Sequence, residues 1–396
     1  MVNICEPISD SLFKGHFQKH LKSRRQSTTG TVPVLINRIE QLIENPDEKE
    51  MFESFLVDEL KFNKNKQLFY NHLGLTNRGI LKTPKIVKQK LTLNSVPDTP
   101  FNDLLKEEPK NNEILFLDYT IHNREIELIE MCIFKEIFPK GDKVEYLYNY
   151  VWVELNIKND YMIVRVRNQQ HMQNFYTTRS IYLEVRSMIE NIFSVHLNIN
   201  MLPSKETLYN MYKEFILKAE LPYHNLVNEN NDIIVNSQIP MFKKLGIRED
   251  SNTAETIINR YKKLIERILT LEDFAYYTEP VEAPKAKVTK ISMSDDTGAS
   301  AYIQPNDIDG LEIATIYFDV RDTIDEMKTL NKLWLTWNHE TINDQLDLFN
   351  ATTSTFEKYP TRFEVYRDYV IITFMEERSV DKEVQQYVFE AFREFE

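Results

Sequence analysis

Aromatic residues recur at every second position from Tyr146 to Trp152, and two arginines follow downstream. The rings belong to Tyr146, Tyr148, Tyr150 and Trp152, and the arginines are Arg165 and Arg167. Aromatic rings on the face of a sheet can stack unpaired bases, at roughly 1–3 kcal/mol per base, while arginine side chains neutralise phosphates. These residue types at this spacing therefore predict a surface that binds single-stranded nucleic acid.

The same aromatic row has a more common interpretation. Tyrosine and tryptophan also pack well in strands and cores, so a helix or another domain could cover this face. A further alternative is a structural or assembly subunit that buries the face in an oligomer or against a protein partner. The three interpretations differ in whether the rings are exposed, covered by the same chain or covered by another chain.

A β-hairpin is the element that would position these side chains. Residues 144–171 alternate in character, with a polar interruption at Asn159-Asp160, which is typical of two strands joined by a two-residue turn. That turn would place Glu154 directly opposite Arg165 on the aromatic face, where the two can form an ion pair. The other face is aliphatic and is expected to lie against the core.

Three lysines at the start of a proline-rich segment could follow a phosphate backbone. They are Lys82, Lys85 and Lys88, and the segment runs from residue 82 to residue 112. The formal net charge is −13, yet residues 1–91 hold 15 Lys and Arg against 10 Asp and Glu, whereas residues 271–396 hold 12 against 26. This asymmetry predicts a basic end that meets a polyanion and an acidic end that does not, although ordinary solvated surfaces would give the same counts.

Catalytic motifs are absent from the sequence. The eight glycines are isolated from one another, so the Gly-rich phosphate loops of P-loop and Rossmann proteins are missing. Cys5 and Cys132 are too few and too far apart for a disulfide framework or a zinc site. We therefore expect no cofactor and no metal, assign no catalytic residue and favour a non-enzymatic protein. A metal-dependent nuclease is the enzymatic alternative, and it would need Glu154 and a second acid free of ion pairs.

The sequence predicts an α+β protein of several parts. They are a helical basic N-terminal module at 1–81, a Pro/Lys-rich linker at 82–112, a central mixed domain at 113–277, a linker at 278–310 and a smaller acidic domain at 311–396. The central domain is expected to be built on the antiparallel hairpin. The acidic domain is expected to have two layers in β-α-β-β-α order, with a strand at 311–318, helical structure at 322–350 and a hairpin at 362–374. Within the first module, Gly74 separates two short apolar segments at 67–81 and suggests a helix-turn-helix, although any helical bundle contains such a pattern.

Two short segments of the chain resemble each other. Residues 160–164 read DYMIV and residues 368–372 read DYVII. An ancient duplication would explain the match, but turn chemistry and strand alternation alone produce such similarity, and coincidence is the interpretation we favour.

Composition sets the broad class of the protein. With 42% hydrophobic and 28% charged residues, the 396-residue chain is expected to fold rather than remain disordered. It has no apolar run near the ~18 residues of a membrane helix and no apolar segment of a secretory signal, so we expect no membrane partner and a cytoplasmic location. Together the patterns predict a non-enzymatic protein that binds nucleic acid, with single strands favoured, and couples that binding to a protein partner or to self-association.

Overall fold

The computed structural model describes residues 3–137, 147–169, 177–197, 201–274, 285–294, 298, 300–304, 311, 315–342 and 354–396. The chain forms two compact units, of which the first comprises residues 1–204 and 362–391 and the second residues 205–361 and 392–396. Both contain helices and strands, so the α+β class is confirmed. The expected linker at 82–112 contributes a helix and a strand to the first unit, and most of the expected acidic domain belongs to the second.

The first unit begins with four helices, α1 (Glu6–Ser11), α2 (Lys14–Ser23), α3 (Val32–Leu42) and α4 (Pro46–Lys61). They are followed by β1 (Gln67–His72), α5 (Leu75–Leu81), α6 (Pro84–Leu93), β2 (Phe101–Asn102), β3 (Ile114–His122), β4 (Glu125–Ile137), β5 (Leu147–Asn156), β6 (Tyr161–Val166) and α7 (Thr178–Phe193).

The chain continues into the second unit with α8 (Met201–Glu229), α9 (Asn231–Leu245), α10 (Asn252–Phe274), β7 (Ala286–Ser294), β8 (Ser300–Ile303), α11 (Thr315–Met327) and β9 (Lys332–Ile342). Strand β10 (Ser354–Val365) leads from the second unit into the first, which is completed by β11 (Val370–Phe374) and α12 (Lys382–Arg393). In the second unit the strand order is β10-β9-β7-β8, and β7 is antiparallel to both of its neighbours. No described helix combines the length and the apolar character that crossing a membrane requires.

The sheet of the first unit has the strand order β2-β3-β4-β5-β6-β1-β11-β10. Strand β1 lies between β6 and β11 and is antiparallel to both. The helix-turn-helix considered as one possibility for 67–81 is therefore excluded, because the first half of the segment is a strand inside the sheet. Five of the six residues of β1 are buried, and a strand buried on both faces shows the same short apolar run as a buried helix.

Helices cover both faces of this sheet. One face packs against α1–α4 through a core that includes Phe17, Leu56 and Trp152, and the other packs against α5–α7 through Val87, Ile181 and many aliphatic strand residues. The proline at position 84 does not prevent α6 from forming, because it occupies the first turn, where its missing N–H would have no helical partner anyway. Proline density in the segment 82–112 was therefore a poor guide to its structure.

The hairpin at 144–171 is confirmed as β5 and β6, but its register differs from the expected one. Trp152 lies opposite Arg165, and residues 157–160 form a four-residue turn instead of a two-residue one. The Asn156 side chain accepts a hydrogen bond from the backbone of Asn159 at 2.9 Å, which stabilises the longer turn. A shift of two residues keeps every side chain on its expected face, so the two faces were assigned correctly.

Several expectations for the second half of the chain are wrong. Residues 315–327, expected to include a strand, form α11, while 332–342, expected to be helical, form β9. Part of the expected linker at 278–310 forms β7 and β8, whose small and polar residues resemble a loop although Val288 and Ile291 are buried. The hairpin at 362–374 is confirmed, with its bend at 367–368.

Candidate nucleic-acid interface

The structure buries most of the aromatic row that the sequence analysis proposed as a stacking surface. Trp152 is 0% exposed and Tyr150 is 2% exposed, both under the helices α1–α4. Tyr148 is half-buried at the start of β5, and Tyr146 lies outside the described residues. A base could reach Tyr150 or Trp152 only if the covering helices moved away, so Tyr148 is the one described ring of the row that a ligand could contact directly.

Arg165, expected to bind phosphate, is engaged in a buried ionic network. Its Nη1 atom lies 3.0 Å from Glu154 Oε2, and Lys61 Nζ lies 3.2 Å from the same oxygen. Tyr161 donates a hydrogen bond of 3.1 Å to the other Glu154 oxygen. Burial opposes the ionisation of Glu154, but the charges of Arg165 and Lys61 outweigh it and lower the pKa of this carboxyl group to about 2.

This network also bears on the nuclease alternative. Because the carboxylate of Glu154 is held by two cations and a tyrosine, a metal ion could bind it only by displacing them. Among the described residues, no group of three or more His, Cys, Asp and Glu side chains could hold a metal ion. His16 and His20 are buried side chains of α2, and burial lowers the pKa of each to about 4.

The three predicted lysines lie on or beside α6. Lys82 pairs with Glu125 at 2.8 Å, Lys85 is exposed and Lys88 is partly exposed. Helix α6 packs against the sheet face opposite to the one covered by α1–α4. The structure therefore does not bring these lysines together with Arg167, whose guanidinium contacts α1.

Arg167 instead joins two lysines that the sequence analysis did not select. Lys64 Nζ donates to the backbone oxygens of Asp10 and Leu12, at 2.7 and 3.2 Å, and Arg167 Nη1 donates to the same Asp10 oxygen at 3.0 Å. These oxygens lie at the C-terminal end of α1, where carbonyl groups lack helical partners and attract cations. Lys66 Nζ donates to the backbone oxygens of residues 376 and 377, the latter at 2.9 Å. We call Lys64, Lys66 and Arg167 the cationic cluster.

The positive charge of the cationic cluster is not neutralised by direct ion pairs. Within the described part of the chain, no carboxylate lies within 4 Å of Lys64, Lys66 or Arg167, and all their acceptors are neutral backbone oxygens. Burial, followed by the charge of Arg167, lowers the pKa of Lys64 to about 8. Burial also lowers the pKa of Lys66, although the carboxylate of Glu376 partly opposes this effect. Such a cluster favours binding of an anion, which would offset the mutual repulsion.

Two partly exposed aromatic rings belong to the same region. The ammonium group of Lys64 lies 4.4 Å from the centre of the Phe13 ring, and Phe13 is 38% exposed. Tyr148 precedes Asn149, whose side chain donates a 2.9 Å hydrogen bond to the backbone oxygen of Arg167. Burial and nearby carboxylates, including that of Asp10, raise the pKa of Tyr148. The site therefore combines three cations with two rings that a planar ligand could contact.

The two lysines of the cationic cluster are only partly predictable from the sequence. They occur in the segment NKNKQ just before β1, where alternation places both on one side of the chain. Their carbonyl partners, however, come from α1 and from the chain after β11, and nothing in the sequence indicates that these approach β1.

In comparisons with family models, curated proteins and solved structures, no match to this chain was found.

Proposed function

We propose that this protein binds nucleic acid at the cationic cluster, that single strands are preferred and that the role is non-enzymatic. The observation that carries the proposal is the convergence of Lys64, Lys66 and Arg167 without a carboxylate in contact among the described residues. Coupling to a protein partner and action in the cytoplasm are further parts of the proposal, and they come from the sequence alone.

Phosphodiesters fit this cluster better than carboxylate ligands do. Successive phosphates along one strand would provide several negative charges, and three clustered cations can contact more than one of them. Phe13 and Tyr148 are partly exposed and could stack on unpaired bases, which a duplex does not offer. The preference for single strands thus rests on the two rings, and the affinity rests mainly on the three cations.

Neutralising the cationic cluster is expected to weaken binding and to reduce its dependence on salt. Glutamine at positions 64, 66 and 167 keeps a donor for the backbone oxygens but removes three charges. If each cation neutralises one phosphate, the slope of log K against log salt should become less steep by about 2, and affinity should fall about tenfold or more. Fluorescence anisotropy with a labelled single-stranded oligonucleotide and its duplex, at several salt concentrations, measures both quantities.

Matched controls are available on α6. Lys85→Gln and Lys88→Gln remove the same kind of charge from the opposite sheet face and should leave the affinity within about twofold. Equal losses in the α6 and cluster variants would indicate diffuse electrostatic attraction and would refute the assignment to the cationic cluster. If inorganic phosphate displaced the labelled oligonucleotide as effectively as an unlabelled oligonucleotide does, the cluster would be a site for small anions instead.

Binding should also weaken as the pH rises. The pKa of Lys64 is lowered to about 8, so its ammonium group loses its proton in the mildly alkaline range. Because only the protonated form attracts phosphate, affinity is expected to fall between about pH 7 and about pH 9. The same titration with Lys64→Gln should be flatter, and identical profiles for the two proteins would exclude Lys64 from the site.

A further inference from the structure

The geometry of the cationic cluster favours the neutral form of the Lys64 amine. The ammonium group of Lys64 and the guanidinium of Arg167 both donate to the backbone oxygen of Asp10, at 2.7 and 3.0 Å, so two positive charges lie side by side. Repulsion between like charges at such short range favours the loss of a proton from one of them. Arginine keeps its proton in proteins, so the proton is lost from the lysine.

The other neighbours of Lys64 do little to oppose this loss. Among the described residues its hydrogen-bond acceptors are the neutral backbone oxygens of Asp10 and Leu12. Burial, followed by the charge of Arg167, lowers the pKa of Lys64 to about 8, with Lys66 acting in the same direction and the Asp10 carboxylate against it. At about pH 7.5, roughly a quarter of such an amine is neutral, against roughly a thousandth of an ordinary lysine amine. The neutral amine is the form that attacks an acyl carbon.

The rest of the cluster suits an acyl donor that carries a phosphate. When Lys64 is neutral, the guanidinium of Arg167 keeps its charge, and Lys66 lies near enough for that charge to lower its own pKa, after the larger effect of burial and against the charge of Glu376. A phosphate bound by these side chains would lie beside the amine. The Phe13 ring, 38% exposed and centred 4.4 Å from Lys64 Nζ, offers an apolar contact for a short acyl chain. A donor held in this way reacts faster than one that meets the amine by diffusion.

We propose that Lys64 is a site of acylation by acyl phosphates, and that acylation weakens the binding of nucleic acid at the cationic cluster. The lysine nitrogen forms a bond to the acyl carbon, and the bond between this carbon and the phosphate oxygen breaks. Inorganic phosphate leaves with the bonding electrons, and the proton released by the nitrogen goes to solvent. The amide product is uncharged, so the cluster loses one of its three positive charges. The acylation site stands by itself, whereas its effect on nucleic acid rests on the proposed function.

Acetyl phosphate is the probe, applied to the full-length protein without nucleic acid. Mass spectrometry of proteolytic peptides over time gives the acetylation rate of each lysine. We expect Lys64 to react at least about fivefold faster than Lys85, which is exposed on α6 and lies on the opposite sheet face. Arg167→Gln and Lys66→Gln should each slow the reaction at Lys64 and leave the rate at Lys85 unchanged. In concentrated urea the lead of Lys64 should disappear, because the unfolded chain does not form the cluster.

Lys19 is the control for accessibility. Its side chain is 70% exposed and pairs with Glu59 at 3.3 Å. Burial opposes the protonation of Lys19, but the charge of Glu59 outweighs it and raises the pKa of this lysine. Accessibility alone would make Lys19 react faster than the half-buried Lys64, whereas we expect the reverse order. Equal or faster acetylation of Lys19 would overturn the proposal.

A neutral acyl donor tests the role of the phosphate. Acetic anhydride carries no charge for the cluster to bind, so the lead of Lys64 over Lys85 should be at least about twofold smaller with it than with acetyl phosphate. An equal lead with both donors would show that the cluster does not recruit acyl phosphates and would refute the assignment of this donor class.

The effect on nucleic acid is measured with acetyl-lysine incorporated at position 64 during synthesis. In fluorescence anisotropy, the affinity for a single-stranded oligonucleotide should fall about threefold or more, and the slope of log K against log salt should become less steep by about 0.7. Acetyl-lysine at position 85 should change neither quantity. Equal binding by the unmodified protein and the protein acetylated at Lys64 would overturn the regulatory part of the proposal. If the unmodified protein bound no oligonucleotide, the proposed function would fail, while preferential acetylation of Lys64 would still support the acylation site.

Discussion

Trp152→Ala is expected to lower the free energy of unfolding of the first unit by about 3–5 kcal/mol, since the indole is fully buried and its removal leaves a large cavity. The ring packs between the sheet and the helices α1–α4, with its centre 5.1 Å from that of Phe116. Neither side of this layer can close easily, because β5 is fixed by pairing with both β4 and β6. The cost should therefore lie at the upper end of the range.

Urea denaturation can assign this loss to the correct unit. Trp334 and Trp337 are the other tryptophans of the chain and belong to the second unit, so fluorescence of the variant reports on that unit alone. Circular dichroism reports on both units. Tyr148→Ala, at a half-buried ring of the same strand, serves as the control and should cost about 1 kcal/mol. If the Trp152→Ala variant kept its free energy of unfolding but lost nucleic-acid binding, the hypothesis that bases stack on the aromatic row would be supported instead.

The hairpin explains which structural features were predictable from the sequence. Alternation assigned each residue of β5 and β6 to the correct face, because the side-chain period of a strand is two. It did not determine the register, which goes with a longer turn in which the Asn156 side chain accepts a hydrogen bond from the backbone of Asn159. It also could not reveal what covers each face. The cover over Trp152 comes from helices about a hundred residues earlier in the chain, and only tertiary packing brings them there.

For strands β1 and β9, the sequence did not even determine the type of secondary structure. Both contain aromatic and aliphatic residues in short runs that suit a helix as well as a strand. In β9, Leu333, Leu335 and Trp337 are fully buried, and the Trp337 indole donates a 2.7 Å hydrogen bond to Thr361 of β10. Such pairing across the sheet decides whether the segment forms a strand or a helix. The partner strand lies elsewhere in the chain, so the local sequence cannot show it.

The apparent duplication gains no support from the positions of the two segments in the sheet. Strands β6 and β11 lie on either side of β1 and run in the same direction. The two matching tyrosines nevertheless occupy opposite faces of the sheet. Tyr161 contacts Phe389 and Glu154, whereas Tyr369 contacts Phe69 and Tyr182. The two segments therefore resemble each other because each combines a turn with a strand, and their positions in the fold are not equivalent.

The buried ionic network around Glu154 gives the second large expected effect. Glu154→Leu leaves Arg165 without its carboxylate, while Lys61 still pairs with Glu130. An uncompensated buried guanidinium typically costs about 3–5 kcal/mol, and we expect a loss of that size in urea denaturation of the first unit. Replacing both residues, as Glu154→Leu with Arg165→Leu, removes the charge together with its partner and should recover part of the loss.

The pH dependence of stability provides an independent measurement of the same network. The folded-state pKa of Glu154 is about 2, below its ordinary value of 4.5, so the unfolded chain binds more protons between these values. Stability from this group should therefore be complete above about pH 4.5 and should be lost as the pH falls towards about 2. Glu154→Gln cannot ionise, and its stability should change less with pH in this window than that of the wild type. Parallel profiles for the two proteins would mean that Glu154 is not held between Arg165 and Lys61, and the carboxylate would then again be a candidate metal ligand.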